Sequence, residues 1–217
     1  LELSDDVGEA RPAATAILVR RASTGHEVLL LKRSDELKHM PGLWVFPGGK
    51  VEAFDQGDNE LEQARQGAAR ELEEEAGITL PSSSLLVFSH WLTPVVVSRR
   101  FSTWFFLTEV SLDCEVTVDG SEIVEHQWWR PAEAIRAHHG GALPLTPPTL
   151  VSLHDLEAER DASLFLTDPD HRTPPRFFPQ VVQDADQMVF LYAGDVAYES
   201  GDINQPGVQH RMTGRRG

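Results

Sequence analysis

Ten residues at 68–77, Ala-Ala-Arg-Glu-Leu-Glu-Glu-Glu-Ala-Gly, constrain this chain more than any others. Leu61, Ala64, Ala68, Leu72 and Ala76 recur at helical spacing and predict one buried stripe. Asn59 is placed to cap the helix, Glu62 stands three positions later as a capping glutamate would, and Gly77 suits a left-handed stop. On that helix Glu71, Glu74 and Glu75 crowd one face, and Glu73 points away. Each like-charge neighbour costs about 0.2–0.5 kcal/mol on an exposed helix. The crowding also falls in the last turn, where the helix dipole disfavours negative charge. A hard divalent cation, which prefers oxygen ligands, turns that cost into a gain. The bland alternative is a solvated glutamate face with Arg70 as its counter-charge.

What precedes the helix favours the cation. Residues 43–46 form an apolar run that breaks at Pro47-Gly48-Gly49. Such a glycine turn lets backbone approach a phosphate or offer a carbonyl to a metal. Strand, glycine turn and carboxylate helix together make a platform for metal-assisted phosphoryl chemistry.

The rest of the chain supplies the framework. Residues 13–22 and 27–33 read as a hairpin, 84–110 as two strands, and 126–131 as the end of another. Helices are expected at 131–138 and at roughly 148–160. A last hairpin is expected within 187–199, and a disordered basic tail after it. Strands and helices alternate enough to predict an α/β fold of layered type. The domain reading is a loose arm at 1–11, a core at 12–142 and an extension at 143–217 packed on the same domain. A pocket wall, a cap or a homodimer contact are the roles open to that extension.

The net charge of −15 argues against nucleic acid or an anionic membrane as partner. No apolar run approaches a membrane span, and the first residues lack a signal-peptide pattern. A single cysteine, Cys114, excludes an internal disulfide and makes a cytoplasmic location the default expectation.

Gly49, Glu62 and the run from Arg70 to Ile78 resemble the signature of the Nudix hydrolases. That signature reads glycine, five residues, glutamate, seven residues, Arg-Glu, an aliphatic, any residue, Glu-Glu, any residue, glycine, an aliphatic. From Glu62 onward every position agrees, but twelve residues rather than five separate Gly49 from Glu62. Residues 29–49 further resemble the additional motif of the family's coenzyme A diphosphatases, with Arg33, Ser34, Gly42, Phe46, Pro47, Gly48 and Gly49 in register. Leu31 stands where that motif has threonine, and Lys38 where it has arginine. Stretches at 90–94, 99–106 and 194–198 resemble the same branch, its peroxisomal mammalian members included.

The resemblance implies an α/β/α sandwich with a mixed sheet and a C-terminal extension. It implies Mg²⁺ or Mn²⁺ held by Glu71, Glu74, Glu75 and the Gly48 carbonyl. It gives Arg70 and Glu74 catalytic duties, with Arg70 bracing a helix glutamate. Glu62 either orients Arg70 or only caps the helix. Gly49 and Gly77 are structural. A general base is expected at Glu122 or Glu125, with Glu122 favoured. Arg33, Lys38, Arg99 and Arg100 are candidates for substrate phosphates. The implied substrate is a small nucleoside diphosphate derivative, first of all coenzyme A or acyl-coenzyme A. ADP-ribose, dinucleotides and modified nucleoside triphosphates are alternatives, and a non-catalytic nucleotide sensor is a rival of another class.

Overall fold

The structure, a computed structural model, describes residues 8–158, 173–185 and 187–215. The end of the helix expected to reach 160, the start of the proline-bearing segment, and most of the N-terminal arm lie outside the described residues. The chain divides into two compact units. One comprises residues 13–88 and 104–174, the other residues 1–12, 89–103 and 175–217. This differs from a core at 12–142 followed by an extension, because residues 89–103 group with the C-terminal strands.

The first unit is built on a sheet in which β1 (Arg11–Arg21) pairs antiparallel with β2 (His26–Arg33). Both strands are apolar on both faces, as strands covered on two sides must be. Along β1, Ala14, Ala16 and Leu18 turn to one face and Ile17 and Val19 to the other. The order β3-β2-β1-β6-β5 places β3 (Trp44–Val45) outside β2, and β6 (Phe101–Val110) and β5 (Leu86–Leu92) beyond β1. Short β4 (Gly48–Lys50) pairs with β1, and β7 (Ile123–Trp129) pairs with β2.

Helix α1 (Glu60–Ala76) packs Ala64, Ala68, Leu72 and Ala76 against Ala14, Ala16, Leu18, Leu29, Leu31 and Phe106. Asn59 caps it by accepting the Glu62 N–H, and Gly77 ends it at φ 67° with its N–H on the Glu73 carbonyl. Helices α2 (Pro131–His139) and α3 (Pro147–Ala158) pack on each other, and α2 also contacts β2. The result is an α/β fold with a mixed sheet.

In the second unit β8 (Arg176–Phe177) runs parallel to the end of β5, pairing His90 with Arg176 and Trp91 with Phe177. Trp91 stacks on Phe177 at 4.2 Å, and both meet Tyr192 edge-on at 6.0 Å. A three-stranded sheet joins β9 (Gln180–Asp184), β10 (Gln187–Leu191) and β11 (Arg211–Arg215), with β10 in the middle. Two expectations change here. The hairpin is formed by 180–191, and residues 193–200 are turns. The basic tail is not disordered through 215. Arg211 places Nε and Nη2 at 2.8 and 2.7 Å from the buried Asp195 carboxylate, and that pair anchors β11.

Candidate active site

Register decides what meets the acidic helix. β4 lies against β1 with Ala14 opposite Gly49 and Thr15 opposite Gly48. A Cβ at Gly48 would stand 2.4 Å from the Ala14 carbonyl oxygen and 2.8 Å from the Thr15 Cα. A Cβ at Gly49 would stand 2.4–2.7 Å from the Glu71 carboxyl atoms. The turn is therefore pressed between a strand on one side and a glutamate of α1 on the other: a side chain at position 48 would strike backbone, and one at 49 the movable end of Glu71. The two positions predict different losses. Gly48→Ala strikes backbone and is expected to cost about 1–3 kcal/mol in a denaturant midpoint. Gly49→Ala strikes the end of a flexible side chain, so α1 stays and Glu71 swings away. It is expected to lose on the order of 10- to 100-fold in kcat with little change in stability, and steady-state kinetics beside chemical denaturation checks both.

The glutamates sort differently from a shared face. Glu75 is buried and accepts the Gly48 N–H at 2.8 Å. Glu71, half-buried, lies against Gly49 and takes Arg70 Nη1 at 2.9 Å. Glu74 has a side chain 57% exposed and shares the same Arg70 nitrogen at 2.9 Å. So Glu71 and Glu75 face the glycine turn, Glu74 rims it, and Glu73 is exposed. For Gly48 the structure shows its N–H in use by Glu75.

Arg70 is oriented by a residue outside the sequence expectation. Its Nε and Nη2 meet Asp55 Oδ1 and Oδ2 at 3.0 and 3.1 Å, and Nη2 also donates to the Lys50 carbonyl at 2.9 Å. The Asp55 side chain is 4% exposed and accepts the Glu52 N–H as well. It approaches α1 closely at Gly67, where a Cβ would be 3.0 Å from Asp55 Oδ2. Glu62 instead turns back to the helix start and accepts the Asp58 N–H at 3.2 Å. Of its two open roles the structure shows capping alone. The missed signal was a count: five residues separate Gly49 from Asp55, the spacing at which the signature places its first acid. The extra seven residues lie after that acid, not before it.

Of the two expected bases, Glu122 reaches this region. Arg33 Nη2 meets Glu122 Oε1 at 2.8 Å, and Glu122 acts electrostatically on both Glu71 and Glu75. Glu125 lies across from Lys32 in the β2–β7 ladder, 3.9 Å from its Nζ. Among the phosphate candidates Arg33 sits with Glu122, its side chain 14% exposed. Lys38 is exposed on the loop after β2. Arg99 and Arg100 belong to the other unit, where Arg100 donates to the carbonyls of Gly8 and Thr93. Arg100 thus ties together backbone of its own unit.

Burial first, and then the charges of Glu71 and Glu122, push Glu75 up to about 8, against the Gly48 N–H and Arg33. Burial likewise raises Glu71, with Arg70 opposing and Glu74 and Glu122 adding. Among the described residues no three acidic, histidine or cysteine side chains close into a ready metal cage. The donor chemistry nevertheless fits a hard divalent ion: carboxylate oxygens that repel one another, held beside a turn with no side chains.

A sign follows for the metal-free protein. Glu75 is raised from 4.5 to about 8, so the stability it contributes is fully present below pH 4.5 and is lost as pH rises through 8. Asp119 and Asp195 are shifted down, the latter to about 2, so they act only in more acid solution. Melting temperature in a chelator is expected to fall between pH 5 and pH 8, and added Mg²⁺ to blunt that fall. A flat or rising profile contradicts the burial account.

A sequence model of the NUDIX domain matches residues 10–147. Nudix hydrolase 7 of Caenorhabditis elegans is 27% identical over 235 residues, taking in 90% of this chain and 77% of that protein. Acyl-coenzyme A diphosphatase NUDT19 of Xenopus laevis is 24% identical over 306 residues, 87% of this chain and 80% of the relative. Among solved structures, a NUDIX hydrolase from Alicyclobacillus acidocaldarius shares the fold at a TM-score of 0.67 and 22% identity, covering 75% of this chain and 97% of that one. The matched residues take in the glycine turn, the acidic helix, Asp55 and Glu122, and the chain belongs to the NUDIX family of hydrolases.

Proposed function

We propose that this chain hydrolyses the diphosphate linkage of coenzyme A or acyl-coenzyme A, giving 4′-phosphopantetheine or its acyl form and adenosine 3′,5′-bisphosphate. The observation that carries the reaction class is the gathering of Glu71, Glu75 and Glu122 about a glycine turn, with Arg33 and Arg70 as counter-charges. Glu71, Glu74 and Glu75 would hold Mg²⁺ or Mn²⁺. Bound there, such an ion would supply Lewis acidity toward the diphosphate and would lower the pKa of the attacking water.

The chain's own residues do the rest. Arg70, fixed by Asp55, holds Glu71 and Glu74 in place. Glu122 takes the water proton as general base while the water oxygen bonds to one phosphorus and the second phosphate leaves as an anion. Arg33 stands beside Glu122 with its buried Nε–H lacking a hydrogen-bond partner among the described residues, a donor suited to a phosphate oxygen. The substrate choice is supported by the 29–49 motif and by the named activity of the Xenopus laevis relative.

Leu31 and Lys38 depart from that motif, and they favour keeping ADP-ribose and dinucleotides as a second reading. Lysine keeps charge but loses the two-pronged geometry of arginine. A panel of coenzyme A, an acyl-coenzyme A, ADP-ribose and a diadenosine polyphosphate, with Mg²⁺ or Mn²⁺ and products identified by mass, tests the choice. Coenzyme A or its acyl form is expected to show the highest kcat/KM by at least about tenfold, roughly 1.4 kcal/mol of discrimination. A higher value for ADP-ribose or the dinucleotide rejects the substrate assignment. Nucleotide binding without any turnover favours the sensor.

A further inference from the structure

We infer that Asp119 is the positioning residue for Glu122. The inference rests on the general-base reading of Glu122. The Glu122 side chain is 51% exposed, so packing cannot hold it in place. Its backbone is held instead. The Asp119 carboxylate accepts the N–H of Ser121 at 2.6 Å, of Glu122 at 2.7 Å and of Ile123 at 3.0 Å, and the Ser121 hydroxyl as well. Gly120, at φ +77°, lets the chain close this turn, and its N–H donates to the Ile123 carbonyl at 2.9 Å.

Both ends of the turn are tied to the catalytic framework. Upstream, the Thr117 N–H donates to the Ala76 carbonyl at 2.8 Å, at the end of the helix that carries the box glutamates. Downstream, the Glu122 carbonyl accepts the Ser34 N–H at 2.8 Å, next to Arg33, and Ile123 is fully buried. Thus Glu122 leaves a segment pinned to α1 at one end and to β2 at the other, and Asp119 removes the slack between them. Arg33 then sets the direction of the carboxylate, 2.8 Å from Oε1. Hydrogen bonds to an ionised acceptor are roughly twice as strong as neutral ones, which suits an exposed turn.

The test is a cycle of Asp119→Ala, Asp119→Asn, Glu122→Gln and the double variant Asp119→Ala/Glu122→Gln, in the full chain with Mg²⁺ and the best substrate of the panel. Misplacing a reacting group by about 1 Å costs on the order of 10²-fold. Asp119→Ala is expected to lower kcat roughly 10- to 100-fold with KM within about threefold. Asp119→Asn, which keeps one oxygen acceptor, is expected to restore most of it. Amide exchange at Ser121, Glu122 and Ile123 is expected to speed up in Asp119→Ala and recover in Asp119→Asn, which is read without turnover. In the Glu122→Gln background, Asp119→Ala is expected to cost nothing more. An equal cost in both backgrounds, or unchanged kcat in Asp119→Ala, overturns the positioning role. Wild-type kcat and an unchanged pH profile in Glu122→Gln overturn the general-base reading itself, a separate result.

Discussion

Glu75→Gln is expected to lower kcat on the order of 10³-fold, about 4 kcal/mol, while raising the stability of the metal-free protein. The two effects have opposite signs because one side chain serves two states. In the free chain Glu75 is a buried acid pushed up to about 8, mostly protonated at neutral pH and short of partners for a second charge. Glutamine has the same shape and keeps an oxygen to accept the Gly48 N–H. It removes the cost of ionising in a half-closed site beside Glu71 and Glu122. Its stabilising effect is therefore expected to grow as pH rises from about 4.5 to 8, where the folded chain keeps the Glu75 proton that the unfolded chain has lost, and to level off above that range. Catalysis asks the reverse, since a neutral amide offers a divalent ion far less than a carboxylate does. Calorimetric melting in a chelator and steady-state kinetics with Mg²⁺ are the two readouts. Retained turnover removes Glu75 from the site. Lost stability in the chelator means that its carboxylate is paired more favourably than the burial argument allows.

Local signals made much of this legible from sequence. The bounds of α1 could be read because its caps are residue-specific: Asn59 accepts the Glu62 N–H, and Gly77 takes a left-handed φ. Gly48-Gly49 announced a close approach, and the structure shows what approaches: strand β1 and Glu71. What could not be read depends on contacts distant in sequence. Glu122 and Glu125 are both exposed glutamates three residues apart. Only the β2–β7 register, with its irregularity between Lys32 and Arg33, sends one to Arg33 and the other to Lys32. Arg33 and Arg100 look alike as basic residues, yet Arg100 gives Nε and Nη1 to backbone carbonyls of its own unit while Arg33 pairs with Glu122. Strand β11 was invisible for the same reason. A short basic tail reads as loose until Asp195, sixteen residues earlier, is seen buried beneath Arg211.

The box acid shows how a signature that agrees at every position from Glu62 onward can still mislead, and it yields the second large prediction. Counting back seven residues from Arg70 selects Glu62; counting forward five from Gly49 selects Asp55. The structure gives Arg70 to Asp55 through two contacts and leaves Glu62 on the helix cap. Asp55→Ala is expected to destabilise the fold by about 2–4 kcal/mol, because breaking one side of a largely buried pair strands the other charge. The lower part of that range follows from Arg70 keeping Glu71, Glu74 and the Lys50 carbonyl. Activity is expected to fall more than stability explains, roughly 10²-fold in kcat, since Arg70 is then free to follow Glu71 and Glu74 out of the site. Asp55→Asn keeps one acceptor and is expected to fall between. Glu62→Ala is the contrast. It removes a capping contact worth about 0.5–1 kcal/mol and leaves kcat near wild type. Chemical denaturation and kinetics on these three variants decide between the acids. If Glu62→Ala loses activity while Asp55→Ala retains it, the lengthened loop lies before the box acid after all, and the brace on Arg70 belongs to the helix.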